Sequence, residues 1–526
     1  MNVIICIGGT GTRCFEALNH LAAANMLSNQ TYKVIVIDKD SSCGGTEKTQ
    51  RTINLYNGLQ AKLSTNLNSQ DVKLCAPCIE RDLWDFDAVL DSFGKREKRT
   101  LKNTVVNDTF RENDQMLLDL IYSEQEQESD LSRGFYGHPS IGAMLFKYVT
   151  QPSQLDNKEN QVFMDIKNAL TTGISHMNVF IIGSIFGGTG ASIFPNIAQL
   201  LRDIAGDSVA IRIGGVLLLP YFSVPNPAAD ADQEKITTIT NDEFLTKTTI
   251  ALEQYDEWGI IRADKSLFNS LYLVGNAPLS CTSSVNANGG SDQVNHFNMV
   301  DFYAANAACH FFNYPDLNDL FVAQLSESTV NMCSWINLPE DASTKRKLLQ
   351  MARFSFYITM SIQPHFTFSR DANQKKKIPA LCQTYGTALF GGTKANNEQI
   401  NDFQKSITAT FSYCMQFINF IFDLSYNGVN WSVGGMASRN QAVDCELFDK
   451  NILMDVLSRC LRLSKGDPEL RLDDFDVVLQ AFSRLVIGES HTDMLAIEAM
   501  LDADTSLKSS NNPAKYLNKL YEYCAI

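Results

Sequence analysis

Two short segments have the residue types of anion-binding turns. The first is Gly8-Gly9-Thr10-Gly11-Thr12-Arg13, between the apolar run Val3–Ile7 and a helical pattern from Cys14 to Ala24. The second is Gly183-Ser184-Ile185-Phe186-Gly187-Gly188-Thr189-Gly190-Ala191-Ser192, between the apolar run Asn178–Ile182 and a helical pattern through Arg202. Glycine lets backbone N–H groups converge on an anion with no Cβ in the way, and a helix N-terminus adds partial positive charge. Thr189 and Ser192 could add hydroxyl donors. Each turn alone is equally a tight strand-to-helix connection. Two of them on one sheet edge suggest a polyphosphate held from both sides.

The elements that would place these turns alternate over the first ~310 residues, as in domains built from strand–helix units. Further apolar runs at Lys33–Ile37, Ala210–Leu219 and Leu271–Val274 read as strands, and Asp242–Trp258 reads as a helix. Ser280–Asn295, rich in Ser, Asn and Gly, reads as a loop, and His296–Phe312 as a buried helix. The pattern predicts a mostly parallel sheet with helices on both faces, and ligands in such sheets sit at the carboxyl ends of the strands. Beyond Asn313 the character changes. Phe354–Ile362 and Tyr385–Phe390 read as possible strands, Asn397–Tyr426 as a long helix, and residues 445–503 as mainly helical. The second turn is not a Walker A loop, because no Lys-Ser/Thr follows its glycines. The first turn, followed by a strand ending in Asp38, imitates a dinucleotide fingerprint without its G-x-G-x-x-G spacing. An NAD-type Rossmann oxidoreductase is therefore an alternative reading.

Composition bounds the function. The chain has 526 residues, is 44% hydrophobic and 20% charged, and carries a formal charge of −15. That balance argues against broad nucleic-acid binding, which needs clustered Lys and Arg. No apolar stretch is long enough for a transmembrane helix, and the first residues lack the basic n-region of a signal peptide. Thirteen cysteines scattered through apolar segments read as reduced cytoplasmic thiols. Cys75-Ala-Pro-Cys78 has no second Cys/His pair at zinc spacing and is read as incidental. Seven histidines without a ligand-spaced pair make a metal hydrolase a poor fit. The basic run Lys95–Arg99 and the acidic run Glu124–Asp130 read as solvated faces or loops.

Gly187-Gly188-Thr189-Gly190-Ala191 resembles the tubulin/FtsZ signature, GGGTG followed by a small residue. Three further segments resemble the family in the same order: Asp38-Lys39-Asp40, Gly137-His138-Pro139-Ser140-Ile141-Gly142, and Pro220-Tyr221-Phe222. The resemblance covers roughly residues 1–345 and is closest to divergent bacterial tubulin-like proteins. It implies an α/β, tubulin/FtsZ-like GTPase domain over residues 1–312, with a central helix at 296–312 and an insertion within 44–130. A C-terminal domain, mixed and then mainly helical, would follow over 313–526.

The resemblance also implies GTP/GDP with Mg²⁺, head-to-tail homopolymers, and hydrolysis completed between subunits. It assigns Gly8, Gly9, Thr10, Gly11, Thr12 and Arg13 to the first phosphate loop, and Asp38 and Asp40 near the phosphates, Asp40 through magnesium. Gly137 and His138 would face the terminal phosphate. Gly187, Gly188, Thr189, Gly190 and Ala191 would cradle the diphosphate, and Asn298 and Asp301 would touch the base. Arg13 stands where the family usually has Asn, and its forked donors also suit a phosphate. Asn313-Tyr314-Pro315-Asp316-Leu317-Asn318-Asp319 follows the central helix with its acids shifted from the family spacing, leaving Asp316 and Asp319 as the catalytic candidates. A non-hydrolysing nucleotide-binding scaffold, recruiting a partner protein through its helical C-terminal half, is the other alternative.

Overall fold

The computed structural model describes residues 1–39, 44–68, 70–92, 100–105, 112–129, 131, 134–135, 138–173, 176–206, 210–221, 241–261, 267–275, 297–316, 320–322, 338, 340–368, 397–430, 450–481, 494–508 and 512–525. Its centre is a sheet of seven parallel strands: β1 (Asn2–Ile7), β2 (Thr31–Asp38), β3 (Cys78–Asp85), β4 (Met177–Ser184), β5 (Ile211–Leu218), β6 (Ser270–Val274) and β7 (Leu320–Val322). Their order is β3-β2-β1-β4-β5-β6-β7. β1 is apolar apart from Asn2 because it is covered on both faces, the usual signature of a central parallel strand. Ile5 stands beside Ile35 of β2 and Ile181 of β4. Along β1, Ile4 and Cys6 enter one core with Phe15, Leu18 and Phe302, while Val3, Ile5 and Ile7 enter the other with Phe194 and Ile197.

The helix after β1, Gly8–Ala23, therefore lies on one face of the sheet, and the helix after β4, Gly188–Ala205, on the other. Because β1 and β4 are neighbours, the chain reverses its winding between them. Such a switch point opens a crevice at the carboxyl ends of the strands. The central helix, Met299–Asn313, runs on the face of Gly8–Ala23 from this edge to the opposite one. Its start is tied to Arg13 and Tyr221. Its last residue, Asn313, donates from Nδ2 to Met26 O at 2.9 Å, beyond the far end of Gly8–Ala23.

The elements differ from the sequence expectation in four places. The first helix starts at Gly8 instead of Cys14, so the first glycine turn is itself the helix N-terminus. Two strands were not anticipated. β3 is charged (Glu80, Arg81, Asp82) because it is an outer strand, where Asp82 pairs with Lys33 of β2 at 2.6 Å; β7 is only three residues long. Phe354–Ile362 is not a strand. It continues the helix Asp341–Tyr357 into a π-helical turn, Ile358–Ile362. Its unbroken apolar run reflects burial among helices all round, a pattern a short stretch shares with a buried strand. Tyr385–Phe390, Ser280–Asn295 and Lys95–Arg99 lie outside the described residues.

The C-terminal helices Asn397–Asn430, Lys450–Ser464, Leu472–Ala481, Met494–Ala503 and Pro513–Tyr523 join the core on the Gly8–Ala23 face, which runs from Ile4 to Cys524. Polar contacts help to fix them. His20 Nδ1 meets Tyr413 Oη at 3.2 Å, and Asn518 Oδ1 accepts from the backbone N–H of Lys73 at 2.6 Å. Cys75 and Cys78 are free thiols, and no helix among the described residues is long and apolar enough to cross a membrane.

Candidate functional site

Both glycine turns reach the switch-point crevice and touch there. Gly8 adopts φ +68°, a conformation that favours glycine, and a Cβ on it would lie 3.5 Å from Thr189 Cβ and 3.7 Å from Gly190 N. Gly190 in turn closes onto the end of β4, where a Cβ would come within 2.7 Å of Ser184 O. The first helix has Ile7 at its N-cap and the second has Gly187, and neither supplies a side-chain hydrogen bond or an acidic residue in the first turn. First-turn N–H groups have no partner within their own helix. At both turns no side chain caps them. Thr12 donates to Gly9 O at 2.9 Å and Ser192 to Thr189 O at 3.0 Å, so these hydroxyls brace their own turns. Gly9, Thr10, Gly187, Gly188 and Thr189 keep partial exposure, and Gly11 and Ala191 are buried behind them.

The residues expected to touch a base are engaged with one another. Asn298 caps the central helix, its Oδ1 accepting from Val300 N at 2.9 Å. Asp301 completes the capping box, its Oδ2 accepting from Asn298 N at 3.0 Å. The same oxygen pairs with Arg13 Nε at 2.6 Å, and Oδ1 receives Tyr221 Oη at 3.4 Å and Cys14 Sγ at 3.6 Å. Arg13 Nη2 also donates to the Tyr221 hydroxyl. Asp301 is wholly buried and Arg13 nearly so, with 0% and 11% of their side chains exposed. Burial disfavours the guanidinium charge, and the Asp301 carboxylate outweighs it, so Arg13 stays firmly charged. Arg13 is thus held by a carboxylate and a phenol. Phe186, from the second turn, meets the Tyr221 ring edge-on at 6.0 Å.

Asp38 ends β2 beside Asp85 at this edge. Asp40, Gly137 and Asp319 lie outside the described residues. His138 precedes Pro139 at the head of the helix Pro139–Val149, its Nδ1 3.1 Å from Glu126 Oε1. That helix presses on the second turn: a Cβ at Gly142 would meet Ser192 Oγ at 2.4 Å. Asp316 is not part of this assembly. It is exposed, it follows the far end of the central helix, and its charge acts on Arg212, next to the start of β5. Sequence reasoning missed Lys39, whose buried amine pairs with Asp87 at 2.6 Å where β2 ends. A lysine directly after an apolar strand was the available signal.

Residues 132–241 match the Tubulin_2 family model, described as tubulin like. This part of the chain carries Pro139–Val149, β4, the second glycine turn, Gly188–Ala205 and β5. Together with the parallel α/β sheet, this match to part of the chain supports a place in the tubulin/FtsZ superfamily. No curated protein and no solved structure matches the chain.

Proposed function

We propose that this protein binds GTP or GDP in the crevice between β1 and β4, assembles head to tail with copies of itself, and hydrolyses GTP where two subunits meet. One observation carries the reading: two uncapped, acid-free helix N-termini meet at a switch point, with Gly8 against Thr189 and Gly190. In the family logic the bound nucleotide supplies the phosphoanhydride to be cleaved, and Mg²⁺ neutralises its charge. The chain's own share is to fix the phosphates with backbone N–H groups and to hold Arg13 beside the first turn through Asp301 and Tyr221.

The placement of Asp316 supports completion by a second copy. The central helix separates it from the glycine turns by about 22 Å, at 1.5 Å per residue, so it serves only the crevice of a neighbour stacked on the opposite edge. Contacts of this kind are heterologous and extend into filaments unless the rotation closes. The shifted spacing of Asp316 favours one competing reading, a nucleotide-binding scaffold that does not turn over, with partners recruited by the C-terminal helices. Equilibrium titration of GTP and NAD(H) against wild type and Gly188→Val tests the binding. GTP binding lost in a folded Gly188→Val supports it. Unchanged GTP affinity in that variant, or a preference for NAD(H), overturns it.

A further inference from the structure

Pro195 stands inside the helix that follows β4, Gly188–Ala205, and is buried there. A proline within a helix has no N–H for the carbonyl four residues back, and its ring presses on that carbonyl. Here the carbonyl is Ala191 O, at the end of the second glycine turn. Ala191 N donates to Gly187 O at 3.0 Å, the first backbone bond of the helix. The bond that would tie Ala191 O to the following turn is missing, because residue 195 cannot supply it. A buried carbonyl left in that state is costly.

A side chain 64 positions further along the chain supplies the donor. Tyr255 Oη donates to Ala191 O at 3.2 Å in a buried contact. The next carbonyl, Ser192 O, takes Asn196 Nδ2 at 2.5 Å. Tyr255 is itself fixed by its backbone. It lies in the last turn of the helix Asn241–Glu257, which closes in a Schellman motif. Ile260 N donates to Tyr255 O at 2.8 Å, Gly259 N donates to Asp256 O at 3.0 Å, and Gly259 adopts φ +74°. Tyr255 and Ile260 both enter the core on the Gly188–Ala205 face. The Trp258 indole stacks on the Tyr255 ring, with centroids 6.4 Å apart and planes 26° from parallel. The start of the phosphate-turn helix is therefore held from a second helix as well as by its own backbone.

We infer that Tyr255 is a positioning residue of the second glycine turn. Its hydroxyl replaces the amide that Pro195 lacks, and so holds Ala191 and the glycine N–H groups just ahead of it in place for a bound phosphate. The role in binding rests on the nucleotide reading above; the hydrogen bond does not. A double-mutant cycle tests it. Tyr255→Phe keeps the ring and deletes the donor, and Pro195→Ala restores a backbone N–H facing Ala191 O. GTP affinity of the full chain is titrated calorimetrically for wild type, both single variants and the double variant. Tyr255→Phe should weaken GTP binding about three- to tenfold against wild type, the range of one ordinary hydrogen bond. In the Pro195→Ala background the same change should cost less than about twofold, because the carbonyl no longer depends on the hydroxyl.

An unchanged GTP affinity in Tyr255→Phe overturns the inference. An equal loss in both backgrounds also overturns it, since the hydroxyl would then not be standing in for the missing amide. Gly188→Val, titrated in parallel, reports on the nucleotide reading separately. Affinity lost in Gly188→Val but kept in Tyr255→Phe removes the role of Tyr255 alone, whereas a wild type that binds no GTP removes both. Melting curves confirm that each variant is folded, and Pro195→Ser supplies the same N–H where Pro195→Ala is not.

Discussion

The helices Gly188–Ala205 and Met299–Asn313 begin at the same edge of the sheet, and their N-termini are finished in opposite ways. The first starts behind Gly187 with no side-chain cap and no acid. The second starts behind Asn298, with a capping box closed by Asp301 and a buried arginine paired to the same carboxylate. Both expose unsatisfied N–H groups by construction. Where side chains satisfy them, the helix end is structural. Where glycines leave them without a side-chain cap at a switch point, the end suits the anion binding proposed above. The difference separates what holds this edge together from what it holds.

The comparison breaks most visibly at Asp301. Asp301→Ala strands a nearly buried guanidinium and removes a cap, at a cost of about 3–5 kcal/mol, read as a lower melting temperature or denaturant midpoint. A change within the ordinary surface range contradicts the buried pair. Gly190→Ala comes next. Its Cβ meets Ser184 O at 2.7 Å and Ser184 N at 3.0 Å, both backbone atoms, so we expect a loss of about 1–3 kcal/mol together with weakened phosphate binding. Gly188→Val, by contrast, loses binding while keeping stability.

A third test addresses how the glycine-turn helix is anchored to the C-terminal helices. Burial, reinforced by the Lys48 charge, lowers the His20 pKa from 6.5 to about 3. The imidazole is neutral in the fold and takes up a proton on unfolding, so its contribution is intact above pH 6.5 and is lost as pH falls toward 3. The slope is about 1.4 kcal/mol per pH unit. Unfolding free energies measured from pH 7 to pH 4 should show it, and His20→Phe should flatten it; an unchanged profile places the titration elsewhere. The smallest effect in stability is the most direct exchange of the two designs. Gly187→Asp, at an extended N-cap backbone (φ −84°, ψ 153°), gives the second turn the cap it lacks. It should raise stability by a few tenths of a kcal/mol while repelling a bound phosphate, measured as a higher melting temperature with weaker GTP binding.

The central strands were legible because burial on both faces leaves Val3–Ile7 and Asn178–Ile182 almost without polar residues. The same logic hid β3, whose Asp82 answers Lys33 at an outer position of the sheet, and it misread Phe354–Ile362, where burial among helices produces an equally apolar run. The two glycine turns were legible because only glycine serves such a close approach. The bond between Arg13 and Asp301 was not, because it joins residues 288 positions apart. Local pattern marked both as polar residues near a ligand. Only the fold shows that they hold each other.

The central claim is that the crevice at β1 and β4 is completed by Asp316 of a second copy. GTP turnover per subunit, measured against protein concentration with Mg²⁺ present, tests it most directly. We expect a rate near zero below a threshold that climbs above it, and an Asp316→Ala protein that binds GTP but stays near zero throughout. A turnover per subunit that is the same at every concentration would contradict it.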